Sequence, residues 1–157
     1  MDERMYVWCI ASIRKALRLR IQDSRIPDLA YYFSSDIRDT NKEPAVVEIR
    51  IDGPMTLKSG TKKEWCLRVE VNLLIKTTRN LTDLYHHQKN VAVANKVLLE
   101  DICVFQLGYE DSNKQSVGTF QLVEPGVVVA EHGQIDDSVE VQQATIEAHY
   151  EMYYETP

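Results

Sequence analysis

Between Trp65 and Ile75 an apolar side chain falls at every second position. Trp65, Leu67, Val69, Val71, Leu73 and Ile75 alternate with Cys66, Arg68, Glu70, Asn72 and Leu74, and Lys76 follows. Period two over eleven residues suits a strand with one buried face and one wet face; a helix would scatter such residues around its axis. Ala45, Val47, Ile49 and Ile51 repeat the pattern more briefly against Glu48, Arg50 and Asp52. Two strands of this kind must cover their apolar sides with a second layer. The rest of the chain is read for what supplies it.

Residues 5–22 predict the first covering helix. Tyr6, Ile10, Ile13, Leu17 and Ile21 recur at three- and four-residue spacings. Asp2 and Glu3 near its start and Arg18 and Arg20 near its end suit the helix dipole, while Trp8, Cys9 and Leu19 widen the apolar surface. Residues 82–102 predict a second helix with Thr82 as N-cap. Leu84, Val91, Ala94, Leu98 and Ile102 share its apolar face, and Gln88, Lys89, Asn90, Lys96 and Glu100 its polar one. Asp28–Phe33 is either one helical turn or a short extended piece.

Strand candidates follow at 103–109 and 119–123, with Pro125-Gly126 breaking the second before Val127–Ala130 resumes. Ala144, Ile146, Ala148, Tyr150, Met152 and Tyr154 share one face of a last strand. Val139 and Val141 are in the opposite phase, so a bulge near Gln142-Gln143 is expected. Connections long enough for parallel crossovers are few. The expected fold class is α+β: a mostly antiparallel β-sheet packed against two α-helices on one face, in one domain over residues 1–157. The thirteen residues from Asp52 to Glu64 exceed the usual hairpin loop of about 2–5 residues. They are read as a long protruding β-hairpin arm at 52–64, with short strand extensions past Gly53, basic through Lys58, Lys62 and Lys63.

Charge is unevenly spread. Residues 1–25 carry six basic and three acidic groups, whereas residues 115–157 carry eight acidic groups and no Lys or Arg. Nonspecific nucleic-acid binding is disfavoured for the acidic part. One subunit with a basic and an acidic element can meet copies of itself head to tail. Cys9, Cys66 and Cys103 are odd in number and each lies in an apolar-periodic segment. They read as reduced core thiols, as in a chain assembled in a reducing cytoplasm. No apolar run approaches the ~18 residues of a membrane span, and the arginine-bearing N-terminal segment reads as a helix of the mature protein, not a leader.

Catalytic motifs are hard to find. Adjacent His86 and His87 project about 100° apart on a helix and do not converge on one metal ion; they read as exposed or capping residues. No G-x-S-x-G occurs. Ser59-Gly60-Thr61-Lys62-Lys63 superficially matches a phosphate loop but lacks its frame and precedes a strand. Glu147, His149 and Glu151 alternate on one strand face and form the one candidate metal cluster, against the plainer reading of a solvated face. Tyr150, Tyr153 and Tyr154 sit among acidic residues, which argues for edge packing or a subunit contact over nucleic-acid stacking. No catalytic, cofactor or metal residue is assigned.

The helix MYVWCIASIRKALRLRIQ, the segment VVEIRIDGPMTLKSGTKKEW, the strand LRVEVNLLIKT, the amphipathic helix after it and the acidic last strand follow one another in an order that resembles the neck and tail-completion proteins of tailed bacteriophages, above all the tail terminators. The resemblance covers most of the chain at the level of element order and contains no catalytic motif. It implies a virion structural protein, not an enzyme: a ring, commonly a hexamer, that caps the tail tube and joins it to the head-side connector. Its expected partners are itself, the tube, the connector or adaptor, and a sheath where the tail contracts. DNA would pass through the lumen without specific binding, no membrane would be involved, and assembly would take place in the host cytoplasm. A head–tail adaptor or head-closure ring protein is the alternative within that class. A small metal-dependent enzyme using Glu147, His149 and Glu151, or a host-directed module using the basic arm, are alternatives outside it. The charge division nominates Arg14, Arg18, Lys58, Lys62, Lys63, Glu147 and Glu151 as subunit-interface residues.

Overall fold

A computed structural model of the chain describes residues 3–24, 29–33, 45–58, 64–77, 84–106, 116–134 and 142–155. Its elements are α1 (Glu3–Asp23), β1 (Leu29–Phe33), β2 (Ala45–Lys58), β3 (Glu64–Thr77), α2 (Leu84–Leu98), β4 (Ile102–Phe105), β5 (Ser116–Gln134) and β6 (Gln142–Glu155). The strands form one sheet in the order β1-β2-β3-β6-β5-β4. β1 runs parallel to β2, and every other pairing is antiparallel. The expected α+β class with two helices on one face of a mostly antiparallel sheet is what the chain forms. The described part of the segment read as helical or extended, Leu29–Phe33, is an extended edge strand.

The alternation places the core. Leu67, Val69, Val71, Leu73 and Ile75 of β3 are buried beside Ala144, Ile146, Ala148, Tyr150 and Met152 of β6, with Val47 and Ile49 of β2 next to them. Cys9, Ile13, Leu17 and Ile21 of α1 and Val91, Ala94, Val97 and Leu98 of α2 close over this face. The buried line of α1 is thus an i, i+4 row that includes Cys9. Tyr6, placed on the stripe by spacing, is largely exposed instead. On α2, His87 and Asn90 join the buried side, although Asn90 had been assigned to the polar one.

One local expectation is sharpened and two are corrected. The first is the arm. β2 does not end at Asp52: pairing with β3 shifts by one residue, from Asp52↔Glu70 to Met55↔Arg68, and continues to Lys58↔Trp65. Gly53 takes φ 106° at this bulge, and a Cβ there would lie 2.9 Å from the Arg68 carbonyl oxygen. Glu64–Arg68 also pair with Glu151–Glu155 of β6. The described part of the arm is therefore ordinary sheet, held on both sides of β3. Lys62 and Lys63 lie outside the described residues, and Lys58 is the last residue of β2.

The second concerns the bulge expected near Gln142-Gln143. β6 pairs with β3 without interruption from Gln142 to Glu155. The extra residue is in β5, where the register passes from Glu131↔Ala144 to Gly133↔Gln143. Val139 and Val141 lie outside the described residues. The third is the break at Pro125-Gly126. β5 bends there but remains one strand, shifting from Leu122↔Tyr150 to Val127↔Ala148. The excursion stands opposite His149.

Tyr150 is fully buried and its hydroxyl donates to the Leu98 carbonyl at the end of α2. Arg20 caps the same helix end: Nη1 donates to Val97 O and Glu100 O at 3.1 Å, and Nη2 to Asp101 O at 2.5 Å. This satisfies carbonyls that a helix C-terminus leaves open and places a cation on its negative pole. Arg20 thus serves the dipole of α2 as well as standing near the end of its own helix. No helix of the described residues is long and apolar enough to cross a membrane.

Candidate functional site

With both helices on one side, the second face of the sheet is bare of any described helix or strand. Strand alternation puts Glu48 and Arg50 of β2, Arg68, Glu70, Asn72 and Leu74 of β3, and Thr145, Glu147, His149 and Glu151 of β6 on it. Charges on this face are mostly paired by register. Arg68 and Glu151 are cross-strand partners, and both Nε, at 2.9 Å, and Nη2 of Arg68 donate to Glu151 Oε1. The hydrogen bonds and charge of Glu151 hold the guanidinium's pKa above its ordinary value. Arg50 Nε lies 3.3 Å from Asp52 Oδ1.

Between these pairs is a group of a different kind. Glu70 faces His149 across the β3–β6 ladder, and Glu147 is two residues along from His149 on the same side. His149 Nε2 is 2.6 Å from Glu147 Oε1. One ligand-type atom from each of Glu70, Glu147 and His149 lies within 4.8 Å of the other two. Asn72 Nδ2 donates to Glu70 Oε1 at 3.1 Å and reaches Asp52 Oδ2 at 3.4 Å. The sequence placed Glu147, His149 and Glu151 together by alternation along one strand. The sheet substitutes Glu70 for Glu151, because the neighbouring strand brings Glu70 directly opposite His149 while Arg68 takes Glu151. His149 is in direct contact with Glu147.

The nominated interface residues do not converge. Arg14 is half-buried on α1, its guanidinium 4.3 Å above the Phe33 ring. Arg18 is exposed on α1, on the helix side of the molecule, while Glu147 and Glu151 are on the bare face. The tyrosines divide by alternation: Tyr150 is core, and Tyr153 is exposed on the bare side, its hydroxyl donating to Glu151 Oε2 at 3.3 Å.

His87 is the polar core group that spacing missed. It is 1% exposed, and its Nδ1 lies 2.9 Å from Thr77 Oγ1 and its Nε2 3.2 Å from Glu131 Oε2. In the tautomer whose Nε2–H donates to the carboxylate, Nδ1 is placed to accept from the Thr77 hydroxyl. Hydroxyl, imidazole and carboxylate stand in the order of a nucleophilic relay. Thr77 is 1% exposed, however, and no substrate atom can reach its oxygen. The network ties α2 to β3 and β5. Its signal in the sequence was faint: His87 falls four residues before Val91 and so on the same side of the helix.

The cysteines also divide. Cys9 and Cys66 are buried and Cys103 is exposed, so the core-thiol reading fails for Cys103. Desolvation pushes the Cys9 thiol up to about 12. A cavity of about 480 Å³ beside α1 and β4 is lined by Leu19, Arg20, Cys103 and Phe105 among others. Its one guanidinium is committed to the α2 carbonyls, and the cavity is not continuous with the Glu70 group.

The remaining feature is an edge. β4 pairs with β5 over Ser116–Phe120, and β6 pairs with β5 from Gln121 to Gln134. Among the described residues, no strand pairs with the other side of β5 beyond Phe120. Val128 and Val129 in this stretch are 46% and 38% exposed. No protein-family model matches the chain, and no curated protein matches it significantly in sequence.

Proposed function

We propose that the protein is a homo-oligomeric structural subunit that builds the neck of a tailed bacteriophage, in the position of a tail terminator ring that caps the tail tube and meets the head connector. The observation that carries the assembly reading is the half-paired β5. A strand edge with free N–H and C=O groups is a template for another chain. Edges are commonly protected by lysine, yet residues 116–134 contain no Lys or Arg. They offer instead Val127, Val128, Val129 and Ala130 in succession. The phage assignment rests on the order of elements described above, which the α+β sandwich is consistent with. A head–tail adaptor or closure ring would use the same surfaces.

A closing ring needs two unlike surfaces on each copy. The exposed Arg18 side of α1 and the Glu147 side of the sheet are two such unlike surfaces. The test is sedimentation and electron microscopy of the chain alone and mixed with tail tubes, with immunolabelling of virions. The expected result is a closed ring and a label at the head-proximal end of the tube. Val129→Lys should abolish the ring while leaving the circular dichroism spectrum unchanged. A chain that stays monomeric alone and on tubes, with no label at the neck, overturns the reading.

A further inference from the structure

We infer that Glu70, Glu147 and His149 form a binding site for one first-row divalent cation, such as Zn²⁺ or Mn²⁺, on the bare face of the sheet. The inference is independent of the ring assignment, since all three donors belong to one subunit.

The donor set is mixed. Imidazole nitrogen with two carboxylate oxygens is chemistry that suits first-row divalent ions more than Ca²⁺ or Mg²⁺, which prefer oxygen alone. Three donor atoms within 4.8 Å of one another can close on one ion at the ~2.0–2.2 Å bond lengths typical of zinc, by small side-chain rotations. The backbone beneath them is fixed. β3 and β6 are the two central strands, each paired on both sides, and their shared register is unbroken over the whole site. A site on such elements is preorganised.

Charge balance points the same way. Two carboxylates, Glu70 and Glu147, converge here, and among the described residues the arginines of this face are paired with other carboxylates, Arg68 with Glu151 and Arg50 with Asp52. Asn72 contributes an amide N–H to Glu70 but no charge. A dication compensates both carboxylates at once, and it replaces the Glu147–His149 hydrogen bond with two bonds to the ion. The β5 register passes from Leu122↔Tyr150 to Val127↔Ala148 and so gives His149 no direct partner on that side. Three protein donors leave at least one coordination position facing solvent, as in sites that hold a water or accept a donor from another molecule.

The experiment is calorimetric titration of the full chain with ZnCl₂ and with MnCl₂, and the visible spectrum of the Co²⁺-loaded chain. Binding of one ion per chain is expected, with a tetrahedral or five-coordinate Co²⁺ spectrum. Glu70→Gln and His149→Ala should each weaken binding by about tenfold or more. Glu100→Gln, at the far end of α2, should leave it unchanged. Circular dichroism of each variant checks folding, which these surface positions should not disturb. Absence of binding by the wild-type chain overturns the inference. So does binding that survives in both Glu70→Gln and His149→Ala, which would mark adventitious surface coordination.

Discussion

The two faces of the sheet are built from the same strands and behave as different materials. On β3, Leu67, Val69, Val71, Leu73 and Ile75 are fully buried, while Arg68, Glu70, Asn72, Leu74 and Lys76 between them are exposed or half-exposed. The covered face is apolar and closed by two helices, and several of its polar groups are hydrogen-bonded: Tyr150 to Leu98 O, Ser12 with the Phe105 amide, and Thr77 with His87 and Glu131, whereas Asn95 Oδ1 on α2 is buried without a partner among the described residues. The bare face carries charges, with Arg68 and Glu151 paired across strands and Arg50 and Asp52 paired along one, and the Glu70 group between them. One face therefore holds most of the buried apolar side chains, and the other holds the charged ones. Mutations placed one residue apart on β3 should separate the two.

The largest effect is expected on the covered side. Leu73→Ala removes a fully buried side chain between β2 and β6 and should cost about 2–5 kcal/mol in urea denaturation. Leu74→Ala, on the bare face, should cost no more than about 1 kcal/mol. Equal losses would mean that the bare face is covered in solution, and would make an oligomer through that face the first thing to examine.

The next effect is a pH dependence that belongs to the covered face. Burial raises the Cys9 thiol from an ordinary 9.0 to about 12, and pushes the Tyr150 phenol upward from its ordinary 10.0. Both acids are protonated in folded and unfolded chains below their unfolded values, so no stability varies there on their account. Above about pH 9–10 the unfolded chain loses these protons while the folded chain keeps them, so stability falls as pH rises. The slope is at most about 1.4 kcal/mol per pH unit for each group that ionises only on unfolding. Urea midpoints measured from neutral pH upward should show this loss, and Tyr150→Phe should lessen its steepness. A flat profile would place these groups in contact with water.

What the sequence disclosed follows from the same contrast. A face that must exclude water leaves a period in the chain, and the strands at 65–75 and 144–152 were legible for that reason. Both helices were legible too, though the buried line of α1 turned out to run through Cys9, because spacing alone does not distinguish adjacent apolar stripes. The arm was partly legible: short strand extensions past Gly53 were expected and β2 does continue to Lys58, whereas Gly53-Pro54, a turn signal by composition, is absorbed as a bulge beside the Arg68 carbonyl. The site was half legible. Glu147 and His149 share a strand and could be paired by parity, whereas Glu70 joins them through a register spanning 79 positions between paired residues 70 and 149. No local pattern encodes that number. His87 was hidden for a related reason: its partners Thr77 and Glu131 are on strands that the helix pattern does not mention.

The smallest effect tests whether the charge lattice of the bare face matters to folding at all. Arg68 and Glu151 make the best-formed ion pair there, directly opposite one another on the two central strands. The Arg68 side chain is nevertheless 44% exposed, and a pair in that setting is worth about 0–1 kcal/mol. Arg68→Gln should therefore lower stability by less than about 1 kcal/mol, and the difference should vanish near 1 M salt, where the screening length is about 3 Å. A loss comparable to that of Leu73→Ala would show that the face is desolvated and structural. A small, salt-sensitive loss leaves β3 and β6 held by their buried residues alone, free to carry Glu70, Glu147 and His149 at fixed spacing toward whatever meets this side of the sheet.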